Sequence, residues 1–515
     1  MINAKADIIL LYPKTGLDIG GHTVAPPHSV LAVAAPVHKE GYSVKIIDMR
    51  RDAQWQQALK DSLSGDTICV GISAMTGTQI FFALMMAAEV RRLTNGRIPI
   101  VWGGHHSSIL PEQTLESEYV DIVVIGEGDI TFPELVKALQ TKQPLQHVKG
   151  IGFKNGKEII KTSPREFLNV DTLLPVPWDL INVEDYISQD TYFLKNSPRT
   201  LDIGQTSRGC PYKCGFCCSS SVLHKQWRPM SVERAMEAVL DPVRRFNLTG
   251  VWIRDDEFYV DNKRAFTICQ KIVDSGENIS WYATGARVND FNKATSEQLS
   301  LLKRSGASIM KFGAESGNNR ILDLINKGFH VEDTVQANLK CKKYGIIPAY
   351  SLIIGFPTET FEEINNTIDF GFRLKKDNPN AQLETIATYT AFPCTPMYEL
   401  ALANGLRPPT HLAGWMDWIL DDYDTEGMKI PWFDRRQRQY IGNISYMSIL
   451  ANAISNLKGG IKNKFWHNIF CYFLTPAQRY YRYRLKNKYY KFVPELVLAR
   501  YLRKKFFYRS TTTIR

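Results

Sequence analysis

The chain has 515 residues, 44% of them hydrophobic, with 63 Lys and Arg against 52 Asp and Glu. This composition excludes a disordered polyelectrolyte and a collagen-like fibre, and the length asks for two or three domains. No apolar run reaches the roughly 18 uncharged residues of a spanning helix. Met1-Ile-Asn-Ala-Lys-Ala-Asp leads straight into a short apolar run, so no secretory leader is expected. Nine cysteines, an odd number, fit a reducing cytoplasm. The positive charge is local: 15 bases and one acid, Glu495, lie from Lys458 onward, which leaves 48 bases against 51 acids elsewhere.

Residues 1–145 alternate short β-rich runs with helical stretches. Strands are expected at Ile8–Tyr12, Ser43–Asp48, Thr67–Ile72, Ile98–Trp102 and Ile122–Ile125, and helices at Pro27–Lys39 and Gln79–Thr94. Such alternation predicts a parallel, doubly wound (Rossmann-like) α/β sheet, whose ligands sit at the carboxyl ends of the strands. Those ends are rich in glycine and hydroxyls: Thr15 and Gly16; Ser73, Met75, Thr76 and Thr78; Gly103, Gly104, His105 and His106; Gly126, Glu127 and Gly128. Glycine lets backbone approach a ligand closely. No GxGxxG follows the first strand, so a dinucleotide is not favoured.

Residues 146–200 are expected to be a linker with a small Asn155-Gly156 hairpin. From Leu201 the alternation resumes, with strands expected at 202–206, 250–254, 279–283, 309–313, 350–354 and 384–388, and helices such as 231–246 and 296–305. Six βα repeats over 201–405 predict a partial (β/α)6 barrel with its chemistry at the strands' carboxyl ends. After the first of them comes Ser207-Arg-Gly-Cys-Pro-Tyr-Lys-Cys-Gly-Phe-Cys-Cys218, a CxxxCxxC spacing of Cys210, Cys214 and Cys217 with Phe216 before the third thiol. A loop of this kind aims three thiolates at one [4Fe–4S] cube and leaves one iron open. Zinc is the alternative on spacing alone, but it prefers four ligands, and the adjacent Cys217 and Cys218 chelate one ion poorly. Later strand ends offer Asp255, Asp256 and Glu257; Arg287; Glu315 and Ser316; Ile354 and Gly355. Cys69, Cys269, Cys341 and Cys471 read as packing residues.

The cysteine loop, CxxxCx-aromatic-C, resembles that of the radical S-adenosylmethionine (SAM) superfamily. The resemblance implies that the open iron binds SAM and that an electron from the cluster cleaves it to a 5′-deoxyadenosyl radical. It implies SAM contacts at Phe216, at the Asp255–Glu257 acids, at Arg287, at Gly313-Ala-Glu-Ser-Gly317 and along Ile353-Ile-Gly-Phe-Pro357. At 255–258 the chain has the Asp-Asp-x-Phe form where many members have Gly-Gly-Glu, and Cys394 stands where relatives have the glycine of Pro-Gly-Thr-Pro. Pro26-Pro27, Gly103-Gly104-x-His106 and Gly126-Glu127-Gly128-Asp129 resemble the cobalamin-binding domain that precedes many radical SAM domains. Asp48-Met-Arg-Arg-Asp52 lacks the histidine of the usual DxHxxG, which implies base-off cobalamin with no histidine on cobalt, and His106 touching the corrin.

The implied function is a cobalamin-dependent radical SAM enzyme, of the branch that includes the anaerobic magnesium-protoporphyrin ester cyclase and hopanoid-modifying proteins. The expected reaction is C-methylation of an unactivated carbon, with methylcobalamin recharged by a second SAM. Cyclisation, other redox outcomes or carbon–carbon joining with the same cofactors, and a cobalamin- or redox-sensing module without turnover, remain alternatives. The expected partners are a small, lipophilic substrate and an electron donor such as flavodoxin or ferredoxin. Residues 406–515 are expected to be helical. Their bases and aromatics suit the inner face of a membrane, with single-stranded nucleic acid the less favoured rival and a solvated helical cap the plain alternative.

Overall fold

A computed structural model describes residues 5–15, 25–188, 194, 197–418, 429–452 and 464–498. The chain divides into two compact units: Met1–Ile187 with Val222–His224 and Pro408–Ile419, and Ser188–Ser221 with Lys225–Arg407 and Leu420–Arg515.

The first unit is built on strands β1 (Ile8–Tyr12), β2 (Val44–Asp48), β3 (Cys69–Ser73), β4 (Ile100–Gly103), β5 (Ile122–Val124), β6 (Ile151–Asn155) and β7 (Glu158–Lys161). They form one sheet in the order β2-β1-β3-β4-β5-β6-β7. β1 to β5 are parallel, and β6 and β7 join antiparallel. Ile8, Ile9, Leu10 and Leu11 are all buried, so both faces of β1 are covered, as a parallel sheet with helices on each side requires. The strand order reverses between β1 and β3, and the carboxyl ends beside that point are where such sheets hold ligands.

The region expected as a linker at 146–200 begins as sheet. Its hairpin, with Gly156 at a φ of +63°, extends the first sheet, because Phe153 pairs with Ile122 and Ile151 with Val124. Pro408–Ile419, placed by sequence in the C-terminal region, also belongs to this unit: Gln113 Nε2 donates to the Pro409 carbonyl at 3.2 Å, and Trp415 Nε1 to Gln113 Oε1 at 2.5 Å.

The second unit carries β8 (Thr200–Gly204), the short pair β9 (Ser207–Arg208) and β10 (Arg228–Pro229), β11 (Gly250–Ile253), β12 (Ser280–Ala283), β13 (Ile309–Glu315), β14 (Ile347–Ile354) and β15 (Gln382–Thr388). β8, β11 and β12 are parallel neighbours, as are β13, β14 and β15. Parallel bridges Trp281–Ala307 and Ala286–Phe312 join the two sets into six parallel strands in chain order, the partial barrel. Thr360 with Glu363 and Thr295 with Gln298 form capping boxes that start the helices Phe361–Asp377 and Ser296–Arg304, each cap worth about 1 kcal/mol. The edge strand β15 is covered by the helix Arg435–Ala451: Ile386 N–H donates to Ser448 Oγ at 2.9 Å, and Thr388 and Ser445 share a hydroxyl hydrogen bond of 2.9 Å. That cover removes an open edge that would otherwise invite pairing.

Candidate active site

The cysteine loop leaves β9 and returns at β10, whose pairing of Ser207 with Pro229 and Arg208 with Arg228 closes its base. Buried Arg264 fastens the same base, donating to the carbonyls of Thr206 and Met230 at 2.8 Å each. Within the loop, Gly215 N–H donates to the Ile325 carbonyl at 2.8 Å, Met397 N–H to the Gly215 carbonyl at 2.9 Å, and Cys217 N–H to the Cys214 carbonyl at 3.2 Å. A Cβ on Gly215 would stand 3.2 Å from Met397 Cγ, so the backbone passes close to its neighbours.

Cys210, Cys214 and Cys217 are half-buried and form no disulfide. Burial first, and then the nearby Glu257, Cys214 and Cys217, push the Cys210 thiol up to about 12, against a backbone N–H from Tyr212. The three sulfurs therefore share one field. Two cations serve it: Arg287 Nη1 lies 3.6 Å from Cys214 Sγ, and the buried Lys327 interacts electrostatically with the same sulfur. Such a surrounding fits thiolates bound to iron. Among the described residues no three His, Cys, Asp or Glu side chains converge on a single ion; a cubane asks instead for one thiolate per iron. Cys218, which burial raises to about 11, is a neighbour of this set.

The acids after β11 part company. Asp255 is 1% exposed, and its carboxylate accepts four hydrogen bonds, from Thr206 N–H (2.5 Å), Thr206 Oγ1 (2.8 Å), Ser207 N–H (3.0 Å) and Ser207 Oγ (2.7 Å). It clamps the start of the cysteine loop, and its oxygens are taken, so the SAM contact expected of it is not supported. Asp256 accepts from Gly209 N–H at 3.0 Å. Glu257 is buried, accepts from the backbone N–H groups of Arg287 (3.2 Å) and Tyr259 (3.3 Å), and is raised to about 7 by burial and then by Asp290. Arg287 stacks over Tyr212 at 3.9 Å, and Tyr212 donates to Asp290.

At the end of β13, Glu315 has a φ of +61° and pairs with Lys327 at 2.8 Å, while Lys327 Nζ stands 5.5 Å above the Phe216 ring. Ser316 departs from its expected SAM contact: it is fully buried, and its hydroxyl bonds Thr367 Oγ1 (3.1 Å) and Asn318 N–H (3.2 Å), tying the strand end to the helix behind it. At the end of β14, Ile354 is buried and its carbonyl accepts from Tyr389 N–H at 2.8 Å. Gly355, at a φ of +90°, donates to Glu359 Oε2 at 2.6 Å and accepts from Trp432 Nε1 at 3.2 Å. Phe216, Phe356, Tyr389 and Trp432 follow one another at ring separations of 6.1, 4.9 and 6.1 Å, an aromatic wall along this side. Cys394 has a φ of +65°, a left-handed backbone that glycine adopts without strain.

In the first unit the strand ends do gather. A Cβ on Gly104 (φ +97°) would meet the Ala74 carbonyl at 2.7 Å, so only glycine lets the loops after β3 and β4 lie together. Gly103 and Gly126 have nothing within 4 Å of where a Cβ would be, which leaves open space beside the backbone for a ligand. Gly126 N–H donates to Ser108 Oγ at 2.9 Å, and Glu127 precedes the helix Gly128–Gln140. Ser73 Oγ donates to Ser29 Oγ at 2.8 Å; Met75 is 46% exposed and its N–H donates to Gln79 Oε1. Thr78 opens the helix Thr78–Thr94, and Thr15, three residues after β1, is buried. Gly16 lies outside the described residues. His106 is fully buried: Nδ1 shares a 3.0 Å hydrogen bond with Thr76 Oγ1, and the ring meets Trp415 edge-on at 5.9 Å. Nε2 has no hydrogen-bond partner among the described residues, and burial lowers the imidazole to about 4, so it is neutral at physiological pH. The open space beside Gly103 and Gly126 fits a large flat ligand such as a corrin, with His106 buried behind it in its own contacts.

Lys327, Tyr212, Asp290 and Arg264 were not singled out by sequence. Tyr212 sits inside the cysteine motif without being one of its spaced residues, and only the tertiary fold brings Lys327, Asp290 and Arg264 to the loop.

A model of the radical SAM superfamily matches residues 205–371, and a model of the B12 binding domain matches residues 21–136. The chain is 35% identical over 405 residues to an uncharacterized methyltransferase of Pyrococcus horikoshii, covering 78% of this chain and 84% of that protein. It is 25% identical over 406 residues to the anaerobic magnesium-protoporphyrin IX monomethyl ester cyclase of Cereibacter sphaeroides, covering 75% and 62%. Among solved structures, the cobalamin-dependent SAM radical enzyme OxsB, with aqua-cobalamin and SAM bound, shares the fold with a TM-score of 0.70 at 19% identity, covering 97% of this chain and 75% of that one. With both domains in place, and matched along most of its length to a methyltransferase of similar extent, the chain belongs to the radical SAM superfamily, in its family of cobalamin-dependent methyltransferases.

Proposed function

We propose that this enzyme methylates an unactivated carbon of a small, lipophilic substrate, with a [4Fe–4S] cluster, SAM and base-off cobalamin as cofactors. The observation that carries the reading is the Cys210, Cys214 and Cys217 loop at the carboxyl ends of six parallel strands, with Arg287 3.6 Å from Cys214. When bound, these cofactors supply a radical that takes a hydrogen atom from the substrate and a methyl group that replaces it. The chain's own residues hold and shield. Cys210, Cys214 and Cys217 ligate iron. Glu257 and Asp256 meet the methionine ammonium of SAM, Arg287 its carboxylate or ribose, and Glu315 with Lys327 the next strand end. Ile354 and Gly355 lie along the adenine, with Phe216 and Phe356 excluding water. His106, neutral, meets the corrin without ligating cobalt.

The enzyme works in the cytoplasm and takes its electron from a flavodoxin or ferredoxin, and its C-terminal region meets the inner face of the membrane. The part-exposed rings of Phe216 and Trp432, at the two ends of an aromatic run through buried Phe356 and Tyr389, support an apolar substrate. The test is anaerobic reconstitution with SAM and a reductant. The wild-type chain should form 5′-deoxyadenosine and the Cys214→Ala variant should not; a wild-type chain that forms none favours a sensing module instead.

A further inference from the structure

Eleven large hydrophobic side chains are exposed among the described residues, and seven of them lie between Tyr472 and Leu498. The helix Lys464–Lys486 organises this set. At about 100° per residue, Tyr472, Tyr480 and Tyr483 fall within an arc of about 80°. Tyr481 and Leu485 fall on the opposite side and are buried. The helix packs there against Arg435–Ala451, where Arg482 Nε donates to the Ala451 carbonyl at 2.9 Å. Exposed Arg479 and Lys486 flank the tyrosine stripe, and exposed Tyr489, Lys491 and Phe492 continue it past the helix. Between 464 and 498 there are seven bases and one acid, Glu495, which already accepts from Tyr481 Oη.

We propose that this face docks on an anionic lipid surface, tyrosine rings at headgroup depth and bases on the phosphates. Tyrosine joins an apolar ring to a wet hydroxyl and so prefers the boundary between lipid and water. Arginine and lysine lay apolar stems along the rings while their charged ends reach anionic headgroups. A second copy of the chain fits poorly, because two such faces would set like charges against each other. Single-stranded nucleic acid favours a groove with stacking platforms, whereas this surface is the convex side of one helix. The proposal rests on the membrane partner named above and is independent of methyl transfer.

The experiment is flotation of the full chain with phosphatidylcholine vesicles, with and without phosphatidylglycerol. The wild type should float with the anionic vesicles and lose most of that binding at high salt. Arg479→Glu with Lys486→Glu, and separately Tyr480→Ser with Tyr483→Ser, should each weaken binding about tenfold or more, with melting unchanged because the sites are exposed. Lys271→Glu, on a distant helix, should leave binding as it is. Failure of the wild type to bind anionic vesicles overturns the membrane partner itself. Wild-type binding that the four substitutions leave intact overturns this face as the docking surface. Preference for single-stranded oligonucleotide over vesicles, or a dimer that the substitutions dissolve, overturns the lipid in favour of that occupant.

Discussion

Lys327 Nζ lies 2.8 Å from Glu315 Oε1, and both side chains are buried at the carboxyl end of β13. Burial alone would lower the ammonium; the Glu315 carboxylate and then the Cys214 sulfur more than offset it and hold Lys327 above its ordinary range. Removing one partner strands the other charge. Lys327→Met should therefore cost about 3–5 kcal/mol of stability, and the double variant with Glu315→Gln should recover part of it. Chemical denaturation of the wild type and both variants checks this; equal losses in the single and double variants would show that the pair is not coupled.

Asp255 acts through the loop it holds. Asp255→Ala leaves four donors of Thr206 and Ser207 without their acceptor. The expected loss is several kcal/mol, at about 1–3 for each buried group left unpaired. Iron bound per chain after reconstitution should fall with it, whereas Asp256→Ala, which frees only the Gly209 N–H, should lose less.

Glu359 predicts a pH dependence. Burial raises its carboxyl to about 8, against two N–H donors from Gly355 and Phe356. The folded state thus binds its proton more tightly than the unfolded chain does. The sign follows: this contribution is present below the ordinary carboxyl range and is lost as pH rises toward 8, by on the order of 1.4 kcal/mol per unit across the window. Glu359→Gln should flatten that slope in denaturation curves taken from pH 5 to pH 8; an unchanged slope would assign it to other groups.

The cobalt centre has a spectroscopic signature. Reduced to cob(II)alamin in the reconstituted enzyme, it should show an EPR spectrum without nitrogen superhyperfine splitting, since β2 ends in Asp48-Met-Arg-Arg-Asp52, with no histidine. His106→Phe should lower cobalamin retained on gel filtration without changing the cobalt signal of what remains. A nitrogen triplet that disappears in the variant would place His106 on cobalt.

Much of this was legible in the sequence. Parallel strands buried on both faces are continuous apolar runs, and the positions of the strands followed from that. Boundaries moved where tertiary contacts intervene: β8 ends at Gly204 rather than Thr206 because Asp255 takes the Thr206 and Ser207 amides. The Asn155-Gly156 turn announced a hairpin, but its pairing with β5 is long-range and leaves no local mark. The motif at 255–258 was visible, whereas the direction of each acid was not, since adjacent carboxylates differ only in what the fold sets beside them. Lys327 is a lone lysine in sequence and a buried partner of Glu315 in space.

Methyl transfer itself is tested most directly with SAM labelled in its S-methyl group, in anaerobic reactions of the reconstituted enzyme with extracts of the native host. The expected product carries one labelled methyl group in place of a hydrogen of its precursor and forms together with S-adenosylhomocysteine and 5′-deoxyadenosine. A product that forms with 5′-deoxyadenosine but carries no label, and without S-adenosylhomocysteine, would contradict it and assign the chain to radical cyclisation or oxidation.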